Sequence, residues 1–401
     1  MDAADNKPKH TIGEILRRWG PEYSRTHPIP EHKRRVMVDL ARCRSALLGG
    51  HLEKCDACGH ERPVYNSCGN RHCPNCQGKL ARKWLAKRLA DVLNTPYFHC
   101  VFTIPDGLNI LVPRNEYAFY SLLFRAVSQT LRHFARRHLG GQLGAVAVLH
   151  TWGQLLWLHP HIHCIVTGGA LSADGELWGA SGRRFLFDVH ALSADFRDRF
   201  CRLLRREKLW LAGEAAALAE PGALETLIAA QQQRDWVVYI KKPESGPAQI
   251  LEYLSRYTHR VAIANRRILE VGDDGTVTLE YKDWRERDAG GNPTPKTMEL
   301  PAVELIGRFL RHILPRGFRK IRTYGLLAGK NKAEKMAAAR ELLGPVPELH
   351  SAPAAEPFDP AALLRCPACG QGTMRLYRYL YPERSPPVVV AWTDSLRTRA
   401  A

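Results

Sequence analysis

The sequence predicts an α+β fold: an antiparallel sheet flanked by helices, set behind an N-terminal helical and zinc-ribbon-like module. Three observations lead there. Short runs rich in aromatic and β-branched residues alternate with long runs of helical periodicity. Two of the short runs, 145–152 and 159–166, are joined by too few residues for a crossover, so they should pair antiparallel. Ahead of both, Cys55, Cys58, Cys68, His72, Cys73 and Cys76 crowd into one stretch.

The chain has 401 residues, enough for two or three domains with a real core. Formal net charge is +18, yet charged residues make up only 24% and hydrophobic ones 45%. That describes a folded protein with a strong positive field, whose expected partner is nucleic acid. No apolar run approaches the length of a membrane span, and residues 1–10 are polar with no signal-peptide core. The expected location is therefore the cytoplasm, with no membrane partner. Eleven cysteines that cluster read, in that compartment, as metal sites rather than disulfides.

The organisation divides as 1–95, a helical and zinc-binding module that would contact DNA; 96–345, the main body; and 346–401, a Pro/Ala-rich linker with a cysteine-containing tail. Residues 11–50 are helical in patches, with Ile12, Ile15, Leu16 and Trp19 at helical spacing. Cys55, Cys58, Cys73 and Cys76 form two C-x-x-C knuckles suited to one tetrahedral structural zinc. Cys68 and His72 either replace a ligand, support a second ion, or are a surface thiol and imidazole. Residues 79–93 make an amphipathic helix with Leu80, Trp84, Leu85 and Leu89 on one stripe. Arg82, Lys83 and Lys87 lie off it, either solvated or placed for phosphate.

Residues 97–104 read as a strand and 116–138 as a long helix, followed by the strand 145–152. The next strand carries His161 and His163 and should end at Gly168-Gly169. Residues 171–187 should form a hairpin turning at Asp174-Gly175, and 188–233 a helical stretch broken near Pro221-Gly222. A strand at 235–240 precedes a helix opened by Pro247, then a hairpin around 273–276. From 301 to 324, Arg308, Arg311, Arg316, Arg319 and Lys320 interleave with Phe309, Phe318 and Tyr324. That pattern suits either a single-strand groove with stacking platforms or an amphipathic helix with core aromatics. Cys366 and Cys369 form a last knuckle, which needs partners from elsewhere to hold an ion.

Two motifs carry chemistry. His161 and His163 alternate on a strand, so both imidazoles project from one face as a ligand pair. Tyr253 and Tyr257, spaced i, i+4, would stack on one helix face. A ligand pair beside a tyrosine pair suggests phosphodiester cleavage by tyrosine attack. The third metal ligand is open: Gln154 is favoured, with His150 and His159 as rivals. Arg256, Arg260 and His259 are placed to hold a phosphate or to be surface groups. Trp152 and Trp157 are either base platforms or core.

His159-Pro-His-Ile-His163 and Tyr253-Leu-Ser-Arg-Tyr-Thr-His-Arg-Val-Ala-Ile-Ala-Asn265 resemble the motifs of the HUH single-strand endonucleases. With Asn70-Arg-His-Cys-Pro-Asn-Cys76 and Arg308-Phe-Leu-Arg-His-Ile-Leu-Pro-Arg-Gly-Phe318, they resemble the insertion-sequence-91 family of transposases over about residues 12–330. The resemblance implies an HUH-nuclease-like core and rolling-circle-type DNA transposition. Chemically that would be nicking and rejoining of single-stranded DNA, or an element-end hairpin or duplex, through a 5′-phosphotyrosine on Tyr253 or Tyr257. A catalytic Mg2+ or Mn2+ is expected, manganese suiting imidazole somewhat better, beside structural Zn2+. Arg316 and Arg319 join Arg82, Lys83, Lys87, Arg256 and Arg260 as DNA-contact candidates. No P-loop pattern occurs, so neither a nucleotide cofactor nor a helicase is expected. The alternatives are a replication initiator or relaxase of the same chemistry, and a non-enzymatic zinc-dependent DNA-binding regulator.

Overall fold

The computed structural model describes residues 8–182, 185–241, 258–288, 290–346 and 364–382. The fold is α+β, and its sheets are antiparallel throughout. The central sheet holds β3 (Tyr97–Thr103), β4 (Gln142–Trp152), β5 (Leu158–Leu171), β7 (Val238–Lys241) and β11 (Ile321–Gly325). Their order is β11-β4-β5-β3-β7, with β6 (Trp178–Ala180) paired to β5. β4 and β5 pair antiparallel as their short connection requires, His150 facing His161 across the ladder.

Each central strand alternates between two environments. Phe98, Cys100 and Phe102, then Ala145, Ala147 and Leu149, then Ile162, Cys164 and Val166 face the main core. There they meet the helices α4 (Glu116–Leu139) and α5 (Val189–Leu204), with α6 (Ala223–Gln232) beyond. α4 ends where Gly140 adopts φ 67, a left-handed cap that glycine takes without strain. On the opposite face Tyr97, Val146 and Ile165 pack against Met336 and Ala339 of α8 (Lys332–Leu343), beside the partly buried Trp84 and Leu85 of α3 (Gln77–Arg88). The rest of that opposite face is lined with histidines.

One expectation about β5 needs correction. Gly168 and Gly169 do not end the strand, which runs to Leu171. A Cβ at Gly169 would meet the Trp178 indole nitrogen at 2.3 Å, so the glycine lets the ring lie on the backbone. Pro160 is tolerated because β3 stops at Thr103, opposite His161, while the β4 ladder shifts register between His150 and Trp152.

A second core joins α1 (Ile12–Thr26) and α2 (Glu31–Arg42) to α7 (Ala302–Leu310) and the β10-β9-β8 sheet (Pro293–Pro301, Thr276–Arg287, Ile268–Val271). The Asn265 side chain ties the two ends of this core together. Its Oδ1 accepts from the Ile12 backbone at 3.1 Å, and its Nδ2 donates to Asn75 Oδ1 at 2.7 Å. A third sheet orders β12-β1-β2, placing β12 (Met374–Leu380) beside β1 (Gly50–Cys55) and β2 (Glu61–Tyr65). The packing therefore crosses residues 95 and 345, which the sequence suggested as boundaries. No helix among the described residues is long and apolar enough to cross a membrane.

Candidate active site

Side-chain alternation puts His161 and His163 on the face of β5 away from the main core, and register adds two further imidazoles. His150 on β4 stands directly across from His161, and His99 on β3 is bonded to His163. His150, His161 and His163 each bring a ring nitrogen within 4.8 Å of the other two. His161 Nε2 and His163 Nε2 are 3.1 Å apart. Two imidazole nitrogens bound at right angles to one divalent ion also lie about 3 Å apart, so the donor set fits a metal ion.

Hydrogen bonds select the tautomers that ligation needs. His161 Nδ1 donates to the His159 carbonyl at 2.7 Å, which leaves the Nε2 lone pair facing inward. His163 Nδ1 lies 2.8 Å from His99 Nε2, so a metal-facing Nε2 on His163 makes His99 the acceptor. Burial pushes His161 down to about 4, with the charges of His159, Arg260 and His99 adding to it. It pushes His163 well down too, helped by His161, His99, Arg260 and Lys320. Imidazoles that resist protonation stay available as ligands at neutral pH.

The favoured third ligand, Gln154, has other partners in the structure. Gln154 sits in the turn after β4, where its carbonyl accepts from Arg267 at 2.5 Å and its Oε1 accepts from the Lys282 amide at 3.5 Å. The strand register brings His150 opposite His161 and into a group with His161 and His163. His159 is not in the group; its Nδ1 lies 3.5 Å from Asp106. His99 carried one sequence signal that passed unread, a lone histidine within an apolar strand.

Tyr253, Tyr257 and Arg256 lie outside the described residues, as does the helix expected from Pro247. Residues on both sides of that segment adjoin the histidines. Lys241 is paired with His99 across the β3–β7 ladder, and the charge of Arg260 acts on both His161 and His163. Lys320 completes this edge. Its Nζ donates to the Arg260 carbonyl at 2.5 Å and lies 5.4 Å from the Trp152 ring centre, and Trp152 stacks on His150 at 4.7 Å. Burial, with the nearby Arg71, lowers Lys320 to about 7. His259 falls to about 4, by burial and by the charge of Lys320.

The basic candidates fall around this site. The Trp84 ring of α3 stands 6.0 Å from His259, and Arg82, Lys83 and Lys87 are exposed on the same helix. Arg316 and Arg319 are exposed as well. Of the two readings of 301–324 the core one holds for its aromatics, since Phe309 and Phe318 are each 1% exposed and Tyr324 packs on the main core, donating to the Phe124 carbonyl at 3.4 Å. Trp157 is 48% exposed, with the Arg308 guanidinium 4.1 Å over its ring. It stands in a turn where Leu156 holds φ 60, pinned by its carbonyl accepting from His312 at 3.0 Å. Trp157 lines a cleft of about 1060 Å³ that also includes His159, Lys33, Arg311, Lys282 and Arg285.

The cysteines pair differently from their order in the sequence. Cys43, Cys68, Cys73 and Cys76 gather in one quartet, and Cys55 and Cys58 join Cys366 and Cys369 in another. The expected set of Cys55, Cys58, Cys73 and Cys76 is thereby split. Cys55 closes β1, whose next neighbour in the sheet is the C-terminal strand β12. In the first quartet, the sulphur separations are 3.7 Å for Cys43–Cys76, 3.7 Å for Cys68–Cys76 and 3.5 Å for Cys73–Cys43. Sulphurs about 2.3 Å from a tetrahedral zinc lie about 3.8 Å apart, so this quartet fits a structural zinc. Cys43, which no motif had flagged, enters from the end of α2.

Comparison with known proteins gives the family. Residues 144–335 match the family described as "Putative transposase", and residues 15–104 match the "Transposase zinc-binding domain". The chain is 43% identical over 378 residues to "Putative transposase y4qJ" of Sinorhizobium fredii, covering 90% of this chain and 94% of that one. It is 29% identical over 352 residues to "Transposase for insertion sequence element IS801" of Pseudomonas savastanoi pv. phaseolicola, covering 84% and 81%. No solved structure matches. With a zinc-binding domain, a transposase domain and near-complete coverage by one relative, the chain belongs to the insertion-sequence-91 family of transposases.

Proposed function

We propose that this protein nicks and rejoins single-stranded DNA through a 5′-phosphotyrosine, as the strand-transfer step of rolling-circle-type transposition. The observation that carries the reading is the three-histidine group, with Lys241 and Arg260 beside it on either side of the tyrosine segment. A divalent ion on His150, His161 and His163, manganese or magnesium, would polarise the scissile phosphate.

The chain's own groups do the rest. The Tyr253 or Tyr257 oxygen attacks phosphorus as its proton leaves to a base, and the bond from phosphorus to the 3′ oxygen breaks. The released 3′ oxygen takes a proton and the 5′ phosphate stays esterified to tyrosine, so rejoining is the reverse displacement. Lys320, held at about 7, can carry a proton in either direction at neutral pH. Arg260 would neutralise phosphate charge, and the exposed face of α3 would bind backbone further along. Two tyrosines permit a second strand transfer before the first product leaves.

The test incubates the protein with end-labelled single-stranded DNA and manganese and looks for a protease-sensitive adduct, mapped by mass spectrometry to Tyr253 or Tyr257. Tyr253→Phe and Tyr257→Phe, made separately, show which phenol attacks first. Intact DNA binding without an adduct under any divalent metal would leave a zinc-dependent regulator.

A further inference from the structure

We propose that Cys55, Cys58, Cys366 and Cys369 bind a zinc ion of their own, which fastens the C-terminal segment to the first strand of the chain. The matched zinc-binding domain spans residues 15–104 and includes only two of these four cysteines. The other two come from more than 300 positions away, delivered by β12 pairing with β1.

The geometry is that of a tetrathiolate site. Cys55 and Cys369 sulphurs stand 3.8 Å apart and Cys58 and Cys366 sulphurs 3.7 Å. A disulfide would need about 2.05 Å, whereas tetrahedral zinc sets about 3.8 Å between neighbouring thiolates. The two knuckles are built alike. Gly59 N donates to the Cys55 carbonyl at 3.1 Å, and Gly370 N to the Cys366 carbonyl at 2.9 Å. Both glycines adopt left-handed φ, 73 and 68, which lets each loop turn back after its second cysteine.

Backbone amides also point at the sulphurs: Ala57 N to Cys55 at 3.4 Å and Gly372 N to Cys369 at 3.3 Å. Such donors stabilise thiolate over thiol. Gly372 admits no side chain, since a Cβ there would lie 2.3 Å from the Cys55 sulphur. Asp56 laces the knuckles together, accepting from the Thr373 amide at 2.8 Å and from Arg375 Nε at 3.0 Å. Repeated knuckles, amide donors and a matched glycine make this a built site rather than a chance meeting of thiols. An ion here closes a very long loop, where a cross-link removes most chain entropy from the unfolded state.

The full-length protein is loaded with cobalt(II), whose thiolate-to-metal absorbance counts Co–S bonds and ignores the histidines. Cys366→Ser with Cys369→Ser should halve that band, and an unchanged band would overturn the proposal. Wild-type protein supplies a second measurement that needs no variant. Under native conditions N-ethylmaleimide should spare Cys58 and Cys369 until a chelator strips the zinc, although Cys58 is exposed. Labelling of both in the zinc-loaded protein overturns it equally.

Discussion

The cysteine quartets and the histidine trio are both ligand clusters, but they differ in closure. The quartet of Cys43, Cys68, Cys73 and Cys76 offers four sulphurs and shares a core with α1, α2 and α7. The trio of His150, His161 and His163 offers three nitrogens on a sheet face beside Lys320, Arg260 and the partly buried Trp152. A tetrahedral ion with four protein ligands has no position left for substrate, whereas three ligands leave one open. Closure thus separates an element of folding from an element of chemistry.

The sharpest way to break this comparison is to remove one ligand from each kind of cluster. Cys73 is 1% exposed and belongs to the second core as well as to its quartet. Cys73→Ser should cost about 4 kcal/mol or more of stability and leave little soluble protein. Cys369→Ser, in the peripheral quartet, should cost visibly less in the same urea titration. Equal, small losses would show that the first quartet holds no ion.

His150→Ala should do the reverse, with manganese-dependent nicking falling by about 100-fold or more while the melting temperature stays near wild type. Gln154→Ala serves as the control, because its side chain reaches only the Lys282 amide, and it should stay within about threefold of wild type. If Gln154→Ala were the inactive one, the register-based choice of His150 would be wrong.

That choice shows what the sequence could and could not say. Local periodicity was enough for α4, for β3 to β5, and for the shared face of His161 and His163, since each depends on neighbours in the chain. His150 and His99 became visible only through strand register, which is set by packing between distant segments. The cysteine partition failed for the same reason: two C-x-x-C knuckles look like partners in sequence, yet β12 pairs with β1 and brings Cys366 and Cys369 to Cys55 and Cys58. Phe309 and Phe318 read equally as platforms or as core, and only the fold decides: the second core buries Phe309 and the main core Phe318. Tyr253 and Tyr257, legible as an i, i+4 pair and proposed as the nucleophiles, fall outside the described residues.

A histidine whose two ring nitrogens are both hydrogen-bonded sharpens the comparison from another side. His312 is buried, with Nε2 donating to the Leu156 carbonyl at 3.0 Å and Nδ1 accepting from Thr151 at 3.1 Å. Burial lowers it to about 4, with Lys33 and Arg311 adding to the effect against the Leu156 hydrogen bond. Between about pH 6.5 and 4 the unfolded chain takes up a proton that the folded chain refuses, so stability falls as pH falls through that window. The loss should approach about 3 kcal/mol and level off below pH 4. His312→Gln keeps both hydrogen bonds and does not titrate. Guanidinium titrations at pH 7.5 and 4.5 should show it losing less than wild type, and equal losses would remove His312 from the account.

The smallest expected effect concerns His99, which touches the trio without belonging to it. If His163 Nε2 faces a metal, its Nδ1 must carry the proton and needs an acceptor, and His99 Nε2 stands 2.8 Å away. His99→Ala frees the His163 ring to turn and to change tautomer, which should weaken manganese binding by about 10- to 100-fold. The deficit should appear as a higher manganese concentration at half-maximal nicking, with the rate at saturating metal nearly unchanged. His99→Gln, whose carbonyl oxygen can accept the same proton, should recover part of the loss. A lower saturated rate with no shift in the manganese requirement would instead make His99 a partner of the DNA or the tyrosines, and the trio would then owe its orientation to the sheet alone.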